Sequence, residues 1–318
     1  MLIPFRNVLV TGGAGFIGSH LVETLLADGC RVTVLDDLSS GHERNLPSSS
    51  GRLRFVRGDI RNPVAVADAV GGCEAVFHLA AVVSVPQTTQ DPIGSAEVNE
   101  IGSLNVLEAA RGAGVKRFVF ASSSAVYGDD PRLPKGEDMQ PKPLTPYAVQ
   151  KLAVEYHARV YSRLYGLPAA SLRFFNVFGP RQDPSSPYSG VISIFLTRAL
   201  SGAAPLINGD GRQSRDFVFV GDVVQALIGA AVSPSAPGKV FNVGTGQSVT
   251  IRRLWEVIAA LSGSTAVPLH GPPRPGDVPQ SVSAIEAARA ELGFEPRVSF
   301  EEGLKMTMAW YRNTATAS

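Results

Sequence analysis

The chain has 318 residues, of which 44% are apolar and 18% charged, and its formal net charge is +1. This length accommodates one large domain or two modest ones with well-packed cores. The near-zero charge gives no basic field for nucleic acid or an acidic membrane, so neither is expected as a partner. Two cysteines offer no disulfide framework, and we find no signal peptide and no apolar run of about 18 residues. A cytoplasmic location is therefore expected.

A glycine-rich turn near the start joins an apolar, β-branched run to an amphipathic helical pattern. Its glycines, Gly12, Gly15 and Gly18, recur every three residues. Gly12 permits a tight turn, Gly15 lets the backbone approach a pyrophosphate, and Gly18 lets the helix lie close to the strand. The N–H groups of the first helical turn, around Phe16 and Ile17, then face the anion. The turn therefore predicts a dinucleotide site.

The second predicted strand, residues 31–35, ends in Asp36, about 20 residues beyond this turn. A carboxylate at this position accepts hydrogen bonds from both ribose hydroxyls and repels a 2′-phosphate, which favours NAD over NADP. The polar loop that follows should also contact the cofactor. Its predicted contact residues are Asp37, Ser39, Ser40 and Gly41.

Two further predicted strands, 53–60 and 75–81, end at the same edge of the sheet. Asp59 could accept a hydrogen bond from an adenine amino group or mark the start of a helix. Small residues at the carboxyl end of the fourth strand would let the backbone touch the cofactor, whereas His78 is expected to be a satisfied core histidine. A helix is predicted over 95–112. The other cofactor contacts expected in this region are Ile60, Leu79, Ala80, Ala81 and Asn99.

The fifth predicted strand, 117–121, leads into three serines at the expected catalytic edge. Tyr147 and Lys151 follow four residues apart, so they share one face of a helix. A phenol has a pKa of about 10 and is a poor base at neutral pH. A nearby ammonium, together with a positive nicotinamide ring, favours the phenolate. Tyr147 could then take a proton from a sugar hydroxyl, with a serine hydroxyl to relay or orient that proton.

Taken together, these motifs resemble the extended short-chain dehydrogenase/reductases and, within them, the UDP-sugar 4-epimerases. The resemblance covers nearly the whole chain and rests on residues 11–18, 59–60, 78–81, 122–124, 147–151 and 173–182. It implies that Ser124, Tyr147 and Lys151 are the catalytic set, with Ser123 as the competitor for the serine role. Dehydratases carry Asp-Glu where this chain has Ser124 and Ala125, which argues against dehydration.

The implied fold is α/β, with a doubly wound, mainly parallel Rossmann-type sheet and a smaller substrate lobe. The NAD-binding domain is expected over 1–175, with 217–243 returning to it, and the UDP-sugar lobe over 176–318. Cofactor contacts implied near the boundary and the catalytic set are Ser122, Phe174 and Val177, besides Tyr147 and Lys151. The family also implies a homodimer through a four-helix contact of residues 95–112 and 147–165. No metal site is assigned.

Substrate contacts are expected from several separate segments. The loop 84–89, beginning at Ser84, could line the cleft, and Val191 with Ile192 could wall a uracil. Asn208 begins a predicted hairpin turn. Arg215 is a pyrophosphate candidate because its guanidinium fork fits phosphate oxygens; the alternative is a surface pair with Asp216.

The resemblance adds further contacts. It implies that Asn176 binds a phosphate or the sugar, that Arg274 grips the diphosphate and that Asp277 holds a ribose hydroxyl. Ser281 stands where related epimerases carry a gatekeeper beside the sugar's C2 group.

The expected activity is NAD-dependent inversion at C4 of a UDP-hexose or UDP-N-acetylhexosamine through a transient 4-keto sugar. Ser281 leaves room for an N-acetyl group that a Tyr would block, which favours UDP-GlcNAc and UDP-GalNAc alongside UDP-glucose and UDP-galactose. Three alternatives stay open: a UDP-glucuronate 4-epimerase or decarboxylase, a net reductase or dehydrogenase, and a non-catalytic NAD-binding regulator.

Overall fold

The computed structural model describes residues 3–47, 51–183, 190–273 and 278–315. Its strands are β1 (Asn7–Thr11), β2 (Arg31–Asp36), β3 (Leu53–Arg57), β4 (Ala75–His78), β5 (Arg117–Ser123), β6 (Ala169–Phe174), β7 (Asn176–Phe178), β8 (Leu206–Asn208), β9 (Ser214–Arg215), β10 (Phe217–Phe219), β11 (Val240–Val243), β12 (Val249–Thr250) and β13 (Leu269–Gly271). Its helices are α1 (Phe16–Ala27), α2 (Pro63–Val70), α3 (Val85–Gln90), α4 (Pro92–Ala96), α5 (Ser103–Gly112), α6 (Pro146–Leu164), α7 (Val191–Leu200), α8 (Val220–Val232), α9 (Ile251–Ser262), α10 (Glu286–Leu292) and α11 (Phe300–Ala315).

A seven-stranded sheet forms the centre of the molecule, in the order β11-β6-β5-β4-β1-β2-β3, and all its neighbouring strands pair in parallel. The chain reverses direction across the sheet between β1 and β4. In open sheets of this kind, ligands bind outside the carboxyl ends of the strands at such a switch point. This topology confirms the predicted doubly wound α/β fold.

Both faces of the sheet are covered by helices, so its strands read as nearly continuous apolar runs. Val8 and Val10 contribute to a core beneath α1 and α8, whereas Leu9 points to the opposite core beneath α2, α5 and α6. This alternation follows from the two-residue repeat of a β-strand. The two cores fix the face of every strand and hence which residues reach the carboxyl edge.

A second lobe is built from α7, α9 and α11 together with three short strand pairs, β7 with β10, β9 with β12 and β8 with β13. It has its own aromatic core, in which the rings of Phe195 and Trp255 meet edge to face with centroids 5.8 Å apart. The chain leaves the large sheet after β6, and β7 pairs with β10 instead. The segment 217–243 then sends β11 back to the sheet beside β6.

Three local predictions differ from the structure. Residues 85–90 form α3 rather than a loop, because Ser84 caps the helix by accepting a hydrogen bond from the Gln87 N–H and Pro86 fits its first turn. The predicted helix over 95–112 begins earlier, at Pro92, and includes a π-helical turn over Glu97–Gly102. The turn after Asn208 is present, but β8 pairs in parallel with β13 instead of closing a hairpin.

No helix among the described residues is long and apolar enough to span a lipid bilayer.

Candidate active site

The glycine-rich turn after β1 is packed as a dinucleotide cradle requires. Gly12 has a φ of 69°, and a Cβ there would lie 2.7 Å from the backbone nitrogen of Ala80. A Cβ at Gly18 would collide with the carbonyl of Gly12. At Gly15, by contrast, an added Cβ would have only one neighbour, the Gly12 carbonyl oxygen at 3.2 Å. The turn is therefore closed towards the protein and open where a ligand would approach.

The amino end of α1 is free to bind an anion. Gly15 is its N-cap, and no described side chain caps the helix, so the N–H groups around Phe16 and Ile17 have no side-chain acceptor. Such groups, aligned with the helix dipole, bind phosphate. The pyrophosphate of NAD fits this position.

Asp36 lies at the carboxyl end of β2 and joins this turn to the next loop. Its carboxylate accepts hydrogen bonds from the N–H groups of Ala14 and Leu38, each at 2.9 Å. Burial raises the pKa of this carboxyl, and the two backbone donors act in the opposite direction. Each oxygen keeps a second lone pair, so the group can still accept from ribose hydroxyls. The residues present therefore fit NAD.

The loop after Asp36 lies against the glycine-rich turn. A Cβ at Gly41 would lie 2.9 Å from the carbonyl carbon of Ala14, so the backbone approaches closely there. The predicted contact residues Asp37, Ser39 and Ser40 are exposed on this loop. The carboxylate of Asp37 accepts from the Ser39 N–H at 2.9 Å and shapes the turn.

The end of β4 is tied to the same turn. The hydroxyl of Thr11 accepts from the N–H groups of Leu79 and Ala80, both at 3.2 Å, and Ala81 continues this backbone beside the cradle. His78 is fully buried, with its ring nitrogens hydrogen-bonded to Thr11 and Ser103. Burial lowers the pKa of His78 to about 3. It is the satisfied core histidine that the sequence predicts.

Two predicted cofactor residues use their side chains within the protein instead. The side chain of Ile60 is buried against Gly102. Asn99 donates its amide hydrogens to the Val82 carbonyl and to Gln150, and it accepts from the Val82 N–H. Asn99 therefore positions the loop after β4 and has no amide hydrogen left for a cofactor.

The carboxylate of Asp59 is held by its near neighbour Arg61, with oxygen and nitrogen 2.6 Å apart. It does not cap α2, because Asn62 does so. Asp59 remains partly exposed at the edge of the sheet, as an adenine contact requires.

A cavity of about 410 Å³ lies at the carboxyl edge of β5 and β6, where the two lobes meet. It brings together residues from all three predicted sets. These are the catalytic candidates Ser123, Ser124 and Tyr147, the substrate candidates Asn176, Arg215 and Ser281, and the cofactor candidate Phe174. Val85, from the segment 84–89 that the sequence predicts to line the cleft, is also part of the wall. Other lining residues were not predicted, among them Lys135, Thr145 and Val278. They lie on loops or at helix ends, where no local pattern marks a cavity wall.

Tyr147 and Lys151 lie in the first two turns of α6, which Thr145 caps through the Ala148 N–H. The Lys151 ammonium donates to the Ala121 carbonyl at 2.8 Å and lies 5.9 Å from the centroid of the Tyr147 ring. Burial lowers the pKa of Lys151 to about 7. Removal from water raises the pKa of the half-buried Tyr147 phenol, and its hydrogen bond with Ser123 acts in the opposite direction.

The three serines at the carboxyl end of β5 face different surroundings. Ser122 is buried and donates to the carboxylate of Glu155 at 2.5 Å, so its hydroxyl hydrogen is used within the protein. Ser123 lines the cavity and hydrogen-bonds Tyr147. Ser124 also lines the cavity but begins a 3₁₀ turn over Ser124–Tyr127. The geometry therefore favours Ser123 over Ser124 as the partner of the phenol.

A smaller cavity continues from the first one. Val191 and Ile192 line it, together with Asn176 and Val177 from β7. Because Asn176 borders both cavities, a ligand can extend from the catalytic edge towards the start of α7. This placement agrees with a base-binding role for Val191 and Ile192.

Asp216 is a buried organiser of the substrate lobe, not the surface partner of Arg215 considered above. It is fully buried, and its carboxylate accepts from the backbone and hydroxyl of Thr245 at 2.8 and 2.7 Å. It also accepts from the Gly246 N–H at 3.0 Å and from the Ser283 N–H and hydroxyl. Asp216, which directly follows β9 and Arg215, therefore ties two loops to this strand. One of them contains Ser283, two residues beyond Ser281.

Some predicted substrate residues lie elsewhere. Ser84 caps α3 and is not among the residues that line the cavity. Asn208 lies on β8, outside the lining of either cavity. Arg274 and Asp277 lie outside the described residues.

Comparison with known proteins agrees with this geometry. The model of the NAD dependent epimerase/dehydratase family matches residues 8–244. The chain is 44% identical over 315 residues to the UDP-glucose 4-epimerase of Mycolicibacterium smegmatis, covering 96% of this chain and 99% of that protein.

Two solved structures are similar along their whole length. The UDP-N-acetylglucosamine 4-epimerase of Methanobrevibacter ruminantium, in complex with UDP-N-acetylmuramic acid, is 39% identical with a TM-score of 0.94, covering 97% of this chain and 99% of that one. The UDP-glucose 4-epimerase of Thermus thermophilus, in complex with NAD, is 41% identical with a TM-score of 0.88, covering 96% and 99%. The chain belongs to the NAD dependent epimerase/dehydratase family.

Replacing Asp216 by Asn should weaken both folding and sugar binding. In Asn, one carboxylate oxygen remains an acceptor and the other is replaced by an NH₂ donor. That donor would face N–H groups of Thr245, Gly246 or Ser283, which would then lose their acceptor. Unmet buried donors cost about 1–3 kcal/mol each. We expect a lower free energy of unfolding in urea and a higher Kd for UDP-hexose.

Asp210→Asn is the matched control, because Asp210 is exposed in the turn after β8 and accepts from the Arg212 N–H. Equal stability of the two variants would contradict the role of Asp216.

Proposed function

We propose that this protein interconverts UDP-hexoses that differ in configuration at C4, with NAD as its cofactor. One observation carries the proposal: Tyr147 and Ser123 share a single cavity with the sugar-side residues Asn176, Arg215 and Ser281. That cavity opens at the edge of the sheet that also holds the glycine-rich turn and Asp36. The similar proteins above, named as UDP-sugar 4-epimerases, support the same activity.

The residues divide the chemistry as follows. NAD, which the glycine-rich turn and Asp36 would hold, would supply the hydride acceptor for C4 of the sugar and, once reduced, the hydride donor. Tyr147 removes the proton of the 4′-hydroxyl and later gives a proton back. The Lys151 ammonium opposes the effect of burial and favours the phenolate that this step needs. A cavity of about 410 Å³ is of the size that holds small ligands. We infer that the 4-keto sugar rotates within it, so that the hydride returns to the opposite face of C4.

Ser123 is proposed to orient the sugar hydroxyl and relay its proton. Its hydroxyl reaches the phenol of Tyr147 and also accepts from the Ala125 N–H at 3.2 Å, which fixes its rotamer. Ser124, one residue later, is left to contact the sugar from the 3₁₀ turn.

The direct test is incubation of purified protein with UDP-hexoses, without added NAD, followed by separation of the C4 epimers. We expect interconversion by retained cofactor and no net NADH. Tyr147→Phe should lower kcat by roughly 10²–10⁴-fold, because it removes the acid–base group. Ser123→Ala should come close to that loss, and Ser124→Ala should lose much less.

Net NADH accumulation would indicate a dehydrogenase, and retained NAD without turnover on any UDP-hexose would indicate a binding protein. A larger loss in Ser124→Ala than in Ser123→Ala would assign the relay to Ser124.

We also propose that the pocket accepts N-acetylated sugars. Ser281 lines the cavity with a small side chain and is held by its backbone N–H on the Ser214 carbonyl at 3.1 Å. Its backbone is thus fixed, and its small side chain takes up less of the cavity than a larger residue would. Both UDP-GlcNAc with UDP-GalNAc and UDP-glucose with UDP-galactose should be substrates.

Ser281→Tyr should narrow this range. The larger side chain would occupy the space needed by an N-acetyl group, so kcat/KM for the acetylated pair should fall at least about tenfold relative to the plain pair. The measurement is kcat/KM on all four sugars for both proteins, with Ser281→Ala as the control that keeps the space. If the wild-type protein is inactive on UDP-GlcNAc and UDP-GalNAc, the proposal that the pocket accepts N-acetylated sugars is wrong.

A homodimer through α4, α6 and the π-helical turn is proposed as well. Helix α6 packs beside α4 and this turn, and their outer faces carry a stripe of exposed apolar side chains at helical spacing. These residues are Ile93, Ile101, Val149, Tyr156, Val160 and Leu164. An apolar stripe of this kind favours association with a second copy.

Val160→Arg should convert a dimer into a monomer, because it places an unpaired charge in the centre of the stripe. Val64→Arg is the control, since Val64 is also exposed but lies on α2. Molar mass by light scattering distinguishes the two. A wild-type monomer, or equal masses for both variants, would rule out this interface.

A further inference from the structure

A cluster of charged side chains is buried behind the catalytic edge. Lys151 and Glu155 lie one turn apart on α6, and Arg173 lies on β6. Each of the three is only 4% exposed. Buried charges are costly unless they are paired, so this arrangement requires a physical reason.

The carboxylate of Glu155 is held in one orientation by three donors. Arg173 donates two parallel hydrogen bonds to it, at 2.9 Å from Nε and 2.7 Å from Nη2, and Ser122 donates a third at 2.5 Å. Paired, bidentate hydrogen bonds of this kind are strong and fix the geometry of the carboxylate. The guanidinium also lies over the ring of Tyr127, 4.8 Å from its centroid. Glu155 is therefore a fixed negative charge.

Lys151 has fewer compensating contacts. Its ammonium donates to the Ala121 carbonyl and lies 4.9 Å from the centroid of the Phe120 ring. Among the described residues, the other groups that face it are Tyr147 on its own helix, the neutral His78 from β4, and the Glu155–Arg173 pair. Glu155 is the only anion in this set.

We propose that Glu155 is a positioning residue that increases the charged fraction of Lys151, so that more of the ammonium form is available to Tyr147 at neutral pH. Burial favours the neutral amine of Lys151, and the Glu155 carboxylate opposes that effect. Arg173 holds the carboxylate in place through its two hydrogen bonds. This role rests on the proposed function, because it acts through the catalytic lysine.

The direction of the pH effect follows from the charges. Removing the negative charge of Glu155 lowers the pKa of Lys151, so the lysine loses its proton at a lower pH. The alkaline limb of kcat should then move to lower pH. At a pH above the pKa of Lys151, lowering that pKa by one unit reduces the charged fraction of the lysine about tenfold.

Glu155→Gln tests this step, with Glu155→Asp as the variant that keeps the charge. We expect a loss of roughly tenfold or more in kcat at pH 8 for Glu155→Gln, shrinking as the pH is lowered. Glu155→Asp should keep the wild-type pH profile whatever its absolute rate. Glu291→Gln removes a carboxylate that is paired with Lys239 on the surface. It should change neither kcat at pH 8 nor the pH profile of kcat.

A second readout needs no substrate. The titration of Lys151 can be followed by NMR of protein with ¹³C-labelled lysine, the signal being assigned by its absence in Lys151→Met. Its midpoint should fall in Glu155→Gln and stay near the wild-type value in Glu155→Asp. If Glu155→Gln folds poorly, the double variant Glu155→Gln with Arg173→Met can be measured as well, because it removes both charges of the pair. In that double variant the midpoint should lie above that of Glu155→Gln, because a neighbouring cation is gone.

An unchanged Lys151 midpoint in Glu155→Gln, or equal shifts in the Gln and Asp variants, would overturn the proposal. Failure of the proposed function looks different: the wild-type protein would show the expected lysine titrations but would not interconvert epimers.

Discussion

Three consecutive residues at the carboxyl end of β5 hold the catalytic edge together. The carbonyl of Ala121 binds the Lys151 ammonium, the hydroxyl of Ser122 binds Glu155, and the hydroxyl of Ser123 reaches Tyr147. Side chains of a strand alternate between its two faces, so Ser122 and Ser123 necessarily point in opposite directions. A slip of one residue in this strand would exchange the two serines and disconnect the phenol from its partner.

The parts of the site that the sequence predicts are those set by local signals. The glycine-rich turn needs a strand before it and a helix after it, and Asp36 needs only the end of the next strand. Tyr147 and Lys151 are four residues apart on one helix, a spacing that any helix turns into proximity. These features depend on short stretches of chain, and the fold of the large sheet could be predicted from them.

The remaining features depend on contacts between distant residues. Asp216 binds Ser283, 67 positions away, and the pattern around Asp216 alone suggested a surface pair with its neighbour. β8 pairs with β13 because those two segments meet in space, although the Asn-Gly turn after β8 is typical of a hairpin. The choice between Ser123 and Ser124 depends on where β5 ends, and strand ends are poorly marked in a row of three serines.

The substrate side of the cavity is a single hydrogen-bonded unit, and this constrains how it can act. The Asn176 N–H donates to the Asp216 carbonyl, the Ser281 N–H donates to the Ser214 carbonyl, and the Asp216 carboxylate holds Ser283. Asn176 and Ser281 therefore keep a fixed spacing from each other, whereas Tyr147 and Ser123 belong to the large sheet and α6. The position of a sugar relative to the phenol is then set by how the two units meet. Because a misplacement of about 1 Å can cost 10²-fold in rate, the residues joining the units matter as much as those that touch the sugar.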